Sequence, residues 1–195
     1  MNLEEYEKQD GMKAWLSERE VNQLLDHSDE TEWRVAIQLA AHCGLRTDEV
    51  VRVAPDHVAD TDAGKMLRVW ESAKTGHYRE TPIPSDLATT IRTVGDIREE
   101  PTDEPVIQSS KRSLRRWISR ARDQLAEETS EPGWKHVGMH DLRRTWATSL
   151  RSADVDAMVV CDWGGWDDLE TFLDHYRGTH SPEAQLRERE KVEWL

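Results

Sequence analysis

The chain has 195 residues and a formal net charge of −13; 36% of its residues are hydrophobic and 33% are charged. This length predicts a single domain with at most a modest extension. No apolar run approaches the roughly 18 residues of a membrane helix, and the acidic N-terminus has no apolar signal-peptide segment. We therefore expect a cytoplasmic protein with no membrane partner, in which Cys43 and Cys161 are buried free thiols rather than a disulfide.

The charge is unevenly distributed along the chain. Residues 1–33 and 152–195 each carry a net charge of −7, whereas residues 111–151 carry +5. Strong acidity normally argues against a nucleic-acid partner, but it is also typical of proteins that stay soluble at high salt. A single basic block in an acidic chain suggests a dedicated anion-binding face. At high salt such a face would depend on shape and specific phosphate contacts more than on counterion release.

Hydrophobic periodicity and capping residues predict that most of the chain is helical. Ser17 and Glu20 form a capping box before the first helix, Gly44 is the expected stop of the second, and Thr47 the expected cap of the third. The predicted helices cover residues 17–27, 31–43, 47–52, 85–94, 111–127, 140–151, 155–162 and 169–176, with a further one beginning at Pro182.

Between residues 56 and 84 the pattern changes to short strands. Residues 66–70 and 78–81 predict an antiparallel pair joined by the turn 71–77, with room for a third strand near residues 57–59. The predicted fold class is mostly α with a small antiparallel β-sheet, an α+β arrangement. The predicted organisation is a loosely held polar N-terminal extension (1–14), one domain (15–180) and a C-terminal helical tail (181–195).

Five short motifs follow one another at a characteristic spacing. They are Gly-Leu-Arg-Thr-Asp-Glu at 44–49, a lysine turn leading into a basic strand at 74–82, His-Asp-Leu-Arg-Arg-Thr at 140–145, Gly-Trp at 165–166, and Tyr176 ten residues later. Each motif alone is weak evidence, but the ordered set is specific. Because of these ordered motifs, the chain resembles the catalytic domain of the tyrosine recombinases, also called the phage integrase family. Its acid-rich, arginine-over-lysine character is similar to haloarchaeal integrases.

The resemblance implies that DNA is cleaved and rejoined through a 3′-phosphotyrosyl intermediate, with Tyr176 attacking the scissile phosphorus. Arginine forks suit bidentate contact with the two non-bridging phosphate oxygens. Trp166 can donate a hydrogen bond but cannot titrate, so proton transfer would fall to His140 and Lys74. Glu49 would orient Arg46, and no metal or other cofactor is expected. The implied catalytic residues are Arg46, Lys74, His140, Arg143, Trp166 and Tyr176.

The implied partner is double-stranded DNA, on which this family self-associates as a dimer or tetramer. The basic block gives the candidate DNA-binding residues, which are Lys111, Arg112, Arg115, Arg116 and Arg144. Most family members also carry an N-terminal clamp domain that closes on DNA. Here at most 14 residues precede the predicted domain, which is too few for such a clamp domain and departs from the usual organisation of the family.

Ordinary structural interpretations stand beside each of these assignments. Arg46 can form a local ion pair with Glu49, Lys74 can be a solvated surface lysine, and charge runs are more often a solvated face than a binding site. His136 and His140 are four residues apart, but no accompanying pattern favours a metal site. Tyr6 and Tyr78 lack the preceding Gly-Trp motif and are poor nucleophile candidates.

Two other functions remain open from the sequence. A non-cleaving DNA-binding regulator would keep the fold without the chemistry. A topoisomerase-like enzyme would use the same chemistry to relax supercoiled DNA without a specific site.

Overall fold

The computed structural model describes residues 1–6, 10–70, 78–170, 172, 186 and 189–192. Most of these residues are helical, with two small antiparallel sheets, as the sequence predicts. The elements in chain order are β1 (Asn2–Glu5), β2 (Met12–Trp15), α1 (Glu18–Asp26), α2 (Thr31–Cys43), α3 (Thr47–Val50), β3 (Val58–Thr61), β4 (Gly64–Val69), β5 (Arg79–Pro82), α4 (Ser85–Arg98), α5 (Lys111–Thr129), α6 (Met139–Ser152) and α7 (Ala157–Gly164).

The first two helices begin and end where the sequence predicts. The Ser17 and Glu20 side chains exchange hydrogen bonds with each other's backbone N–H groups, which confirms the capping box of α1. Gly44 ends α2 in the left-handed conformation, with φ of 67°. A Cβ atom there would lie 2.3 Å from the Trp146 ring. The glycine is therefore required both by the helix stop and by the close approach of α2 to α6.

The three-stranded sheet has the order β3-β4-β5, with both pairs antiparallel. The two predicted strands are confirmed as β4 and β5, and the third strand is β3. Val69 faces Arg79 across the β4–β5 pair. Arg79 and Thr81 are buried, whereas Tyr78 is 47% exposed. Because side chains alternate along a strand, β5 presents Arg79 to the protein interior.

Several helix ends differ from the prediction by one to four residues, and two of these differences have a clear physical reason. Arg46, rather than Thr47, is the N-cap of α3, because the Glu49 carboxylate accepts a 2.7 Å hydrogen bond from the Arg46 backbone N–H. Helix α4 runs past residue 94, the predicted end of this helix, through Gly95 and as far as Arg98. A Cβ atom on Gly95 would lie 2.6 Å from Pro55. This glycine thus provides a close contact inside a helix rather than a stop.

The N-terminal residues are tied down rather than loosely held. Strands β1 and β2 pair antiparallel, and β2 lies against α6. Ala14 N–H donates to Asp141 Oδ1 at 3.0 Å, and Leu16 N–H donates to Thr145 Oγ1 at 3.0 Å. Helix α6 thus supplies acceptors for backbone groups in β2 and directly after it, which the polar sequence of this segment does not reveal.

The main hydrophobic core joins α1 to α5 with the three-stranded sheet, and a smaller cluster forms between α6 and α7 around Trp146, Val160 and Phe172. Cys43 and Cys161 are buried free thiols, as predicted. Leu169, Glu170 and Phe172 are helical, but the rest of the predicted helix 169–176 and most of the predicted C-terminal tail lie outside the described residues. In the described part of the chain, no helix is both long and apolar enough to cross a bilayer.

Candidate active site

The centre of the site is a buried ion pair between the helix α3 and the strand β5. Arg79 Nη1 and Nη2 donate to Glu49 Oε1 and Oε2 at 2.8 and 2.7 Å. The two side chains are 6% and 1% exposed. This fork-to-fork geometry is the strongest form of an arginine–carboxylate contact. It joins the first motif, residues 44–49, to the strand that follows residues 71–77.

Arg46 approaches the same carboxylate from the other side. Its Nη1 donates to Glu49 Oε1 at 3.0 Å, and its Nη2 donates to the Gly165 carbonyl at 2.9 Å. The Arg46 side chain is 19% exposed. The predicted contact between Glu49 and Arg46 is therefore present, but it does more than pair two neighbouring charges. Together with the Gly165 carbonyl, the Glu49 carboxylate fixes the partly exposed Arg46 guanidinium in one position.

Arg143 projects from α6 into the same cluster. Its Nη1 donates to the Gly44 carbonyl, and its Nη2 donates to the Gly164 carbonyl at 2.7 Å. The guanidinium lies 4.2 Å from the centre of the Trp166 ring, within cation–π distance. Arg143 is only 1% exposed. It ties together the end of α2, the end of α7 and the Gly-Trp turn.

The turn after α7 depends on two glycines. Gly165 has φ of 65°, and a Cβ atom there would lie 2.8 Å from Arg79 Cδ. A Cβ atom on Gly164 would lie 1.8 Å from the Trp166 ring. Neither position tolerates a side chain without displacement of Arg79 or Trp166. The close packing of the two glycines therefore explains the predicted Gly-Trp motif. It allows the backbone carbonyls at the end of α7 to accept hydrogen bonds from Arg46 and Arg143.

The charges of the cluster do not cancel. Burial alone would raise the pKa of Glu49, but the hydrogen bonds and charge of Arg79, the backbone N–H of Arg46 and the charge of Arg143 outweigh it and lower the pKa to about 2. Glu49 is thus ionised at neutral pH. Among the described residues of the cluster, three guanidinium groups face one carboxylate. The resulting net positive charge suits an anion such as a phosphodiester.

Of the four remaining predicted catalytic residues, the structure describes two, His140 and Trp166. His140 is exposed at the start of α6, three residues before Arg143, so both project from one face of the helix. Trp166 is half-buried and packs on Phe172 with a ring-centroid distance of 4.9 Å. In the sequence, Phe172 lies four residues before Tyr176. Lys74 and Tyr176 themselves lie outside the described residues.

Comparison with known proteins shows the family to which the chain belongs. A model of the phage integrase family matches residues 14–182. The chain belongs to the phage integrase family. The tyrosine recombinase XerA of Thermococcus kodakarensis is 25% identical over 179 residues, which make up 91% of this integrase-family chain and 62% of XerA. The chain therefore spans less than two thirds of this curated relative.

Two solved structures show the same fold. The catalytic domain of bacteriophage HP1 integrase is 18% identical, with a TM-score of 0.62 over 93% of this chain and 96% of that one. XerH site-specific recombinase, in a pre-cleavage complex with its difH substrate, is 16% identical, with a TM-score of 0.64 over 91% of this chain and 53% of that one. The chain therefore has the fold of an integrase catalytic domain.

The predicted DNA-binding residues of this integrase separate into two groups. Lys111, Arg112, Arg115 and Arg116 lie in the first turns of α5, and all four are exposed. Arg144, in contrast, is 3% exposed. It pairs with Asp141 and lies over the rings of Tyr6 and Trp15. The structure thus places Arg144 in the contact between α6 and the N-terminal strands, and we leave it out of the proposed DNA-binding surface.

Arg79 is not among the site residues predicted from the sequence. It belongs to the basic strand of the second motif, in which the sequence assigns a role only to the lysine. The available signal is the alternation of β5, which places Arg79 on the same face as the buried Thr81. An arginine on the inward face of a short strand requires a buried acid, and Glu49 is that acid.

The depressed pKa of Glu49 predicts a specific pH dependence of stability. A carboxyl whose pKa is lower in the folded than in the unfolded state stabilises the fold above its unfolded pKa, here 4.5, and loses that effect as pH falls toward 2. We expect Glu49→Gln to be less stable than wild type at pH 7 by about 3 kcal/mol, measured by urea unfolding. The difference should shrink between about pH 5 and pH 2. A difference that stays constant over this range would contradict the assignment.

Proposed function

We propose that this chain is a site-specific DNA recombinase that cleaves and rejoins DNA through Tyr176. The observation that carries the proposal is the positively charged cluster of Arg46, Arg79 and Arg143 around Glu49. This cluster sits against the Gly164–Trp166 turn, ten residues before a tyrosine, in a chain of the phage integrase family. The proposal of a DNA substrate also draws on the likeness to XerH site-specific recombinase, whose structure is a complex with its difH substrate.

The chemistry follows from charge and protonation. The Tyr176 oxygen attacks phosphorus, the bond to the 5′ oxygen breaks, and a 3′-phosphotyrosine and a free 5′-hydroxyl result. Arg46 and Arg143 stabilise the negative charge that develops on the non-bridging oxygens. A proton must leave the phenol, whose pKa is normally near ~10, and another must reach the departing oxygen. We assign the first transfer to His140 and the second to Lys74. Rejoining is the reverse reaction with another 5′-hydroxyl, so the bond energy is conserved.

A non-cleaving DNA-binding regulator is the second candidate, and one observation favours it. Arg143 is almost fully buried, with both terminal nitrogens donating to backbone carbonyls. Because it is buried, this group must be uncovered or must shift when DNA binds before it can contact a phosphate. The two candidates differ in a covalent step, which a trapping experiment detects directly. Topoisomerase-like relaxation is separated by a third readout, the relaxation of supercoiled plasmid that lacks a selected site.

The trapping experiment uses duplexes with a randomised segment, each nicked a few nucleotides 3′ of the randomised positions. Cleavage upstream of the nick releases a short 5′-hydroxyl strand that diffuses away, so rejoining is prevented and the protein stays attached to a 3′ phosphate. The recombinase proposal expects a denaturation-resistant protein–DNA adduct enriched in particular sequences. Binding without any adduct would support the regulator, and adducts without sequence preference would support a topoisomerase.

The exposed cations at the start of α5 form the proposed DNA-backbone surface, which comprises Lys111, Arg112, Arg115 and Arg116. Removal of each phosphate contact should reduce the slope of log affinity against log salt by roughly 0.9. We expect Arg112→Gln/Arg116→Gln to weaken DNA binding at all sequences and to reduce this slope by about 2, measured by fluorescence anisotropy over a KCl series. Arg92→Gln on α4, which removes an arginine paired with Asp60, is the control and should leave the slope unchanged. An equal slope for wild type and the double variant would exclude this surface.

The remaining assignments follow from the same proposal. Cleavage at two strands of a site requires at least two tyrosines, so we propose self-association on DNA as a dimer or tetramer. Buried free thiols and a DNA substrate agree with a cytoplasmic location. The net charge of −13 is consistent with a protein that functions at high ionic strength, as in the haloarchaeal integrases that the sequence resembles. DNA binding and cleavage are therefore best measured in concentrated KCl.

A further inference from the structure

Arg79 holds both of the groups that fix Arg46. One anchor of Arg46 is Glu49, and both oxygens of that carboxylate are also bound by the Arg79 fork. The other anchor is the Gly165 carbonyl. Gly165 packs so closely on Arg79 that even a Cβ atom there would lie 2.8 Å from Arg79 Cδ. The position of the Arg46 guanidinium therefore depends on Arg79 through two routes.

Arg79 has a third contact on the same side of the site. Its Nε donates to the Trp163 carbonyl at 2.9 Å, one residue before the glycines of the turn. Three N–H directions of one guanidinium thus connect β5, α3 and the end of α7. Lysine cannot reproduce this connection, because its ammonium is a point charge without the planar fork. Arg79 is 7% exposed, so it acts from beneath the site rather than on its surface.

We infer that Arg79 is a positioning residue for the cleavage reaction, which sets the Arg46 guanidinium against the scissile phosphate by holding Glu49 and the Gly165 turn together. The inference rests on the proposed recombinase function. A shift of about 1 Å in a charged group that contacts the reacting atoms can cost about 100-fold in rate. A merely structural ion pair would instead affect the folded fraction and leave the rate of the folded protein unchanged.

Arg79→Lys is the informative variant, because it keeps a positive charge next to the buried Glu49 and removes only the fork. With the nicked duplex at saturating concentration, we expect adduct formation to be about 100-fold slower than in wild type. DNA affinity and the circular-dichroism spectrum should be unchanged. Arg68→Lys is the matched control, since Arg68 lies on the neighbouring strand β4, is 42% exposed and faces Glu80 at 3.6 Å. Its rate should equal that of wild type.

A double-mutant cycle with Glu49→Gln tests the route of the effect. If Arg79 acts through Glu49, the rate losses of the two single variants will not multiply in the double variant, because the shared partner is already altered. Independent, fully multiplying losses would overturn the inference, as would a wild-type rate for Arg79→Lys. If Arg79→Lys does not fold, Glu49→Gln/Arg79→Gln takes its place, with slow cleavage by folded protein expected and a wild-type rate overturning the inference. Absence of any wild-type adduct would instead count against the proposed function itself.

Discussion

Tyr176→Phe is expected to abolish the covalent adduct with nicked DNA while leaving DNA binding intact. The substitution removes only the phenolic oxygen, so the nucleophile is lost but the aromatic ring is retained. Removal of a catalytic nucleophile commonly lowers the rate by about 10³-fold or more, with ~10⁶-fold measured in other enzymes. The adduct should therefore fall below detection on a denaturing gel, and anisotropy should report an unchanged dissociation constant.

Tyr78→Phe is the matched control for this experiment. Tyr78 is an exposed phenol one residue before Arg79, and it lacks the Gly-Trp motif that precedes Tyr176. Its variant should form adduct at the wild-type rate. Equal trapping by wild type and Tyr176→Phe would show that another group attacks, or that the adduct is not a phosphotyrosine. Mass spectrometry of the protease-digested adduct assigns the attached residue directly.

Arg46→Lys is expected to slow adduct formation by about 10²- to 10³-fold at saturating DNA, the range seen when one transition-state hydrogen-bond donor is removed. The charge is preserved, but the fork that reaches Glu49 and the Gly165 carbonyl is lost. The guanidinium is partly exposed at 19%, so the variant should still fold. Stopped time points on the nicked duplex measure the rate, and urea unfolding measures the stability.

Arg52→Lys provides the comparison, because it makes the same exchange at the exposed end of the same short segment. Arg52 pairs with Asp48 at 3.2 Å and is 46% exposed, a type of contact that contributes little to stability. Its cleavage rate should match wild type. If Arg46→Lys cleaves within about threefold of wild type, which is less than about 1 kcal/mol of barrier, Arg46 does not contact the phosphate in the transition state.

Local sequence signals are sufficient where the structure depends on neighbouring residues. The capping box of α1, the glycine stop of α2 and the predicted helix over residues 111–127 each depend on signals within one element, and each is confirmed. The β4–β5 pair is predictable for the same reason, since its two strands lie close together in the sequence. The motif order also predicts that Arg46, Glu49 and Arg143 belong to one site.

Signals that depend on distant partners are not readable from the chain. Strand β2 is held against α6 because Asp141 and Thr145 accept hydrogen bonds from the N–H groups of Ala14 and of Leu16, which follows the strand, across 127 and 129 residues. Arg144 resembles a DNA contact by composition, but Asp141 one turn earlier on α6 and Tyr6 at the other end of the chain bind it instead. The role of Arg79 is hidden because its acid lies 30 residues away in another element. In each case the deciding contact is created by the fold.

The long-range hydrogen bonds of the site determine when it can form during synthesis of the chain. The hydrogen bonds that assemble the site connect residues 84, 99 and 119 positions apart, through Arg79–Trp163, Arg143–Gly44 and Arg46–Gly165. Contacts of such high sequence separation form late, because the entropy of closing the long loops must be overcome first. A chain still being synthesised contains Arg46 and Arg79 well before the turn that completes their setting. If the chain cleaves DNA as proposed, it therefore stays inactive until both the Gly164–Trp166 turn and the proposed nucleophile Tyr176, ten residues further on, have left the ribosome.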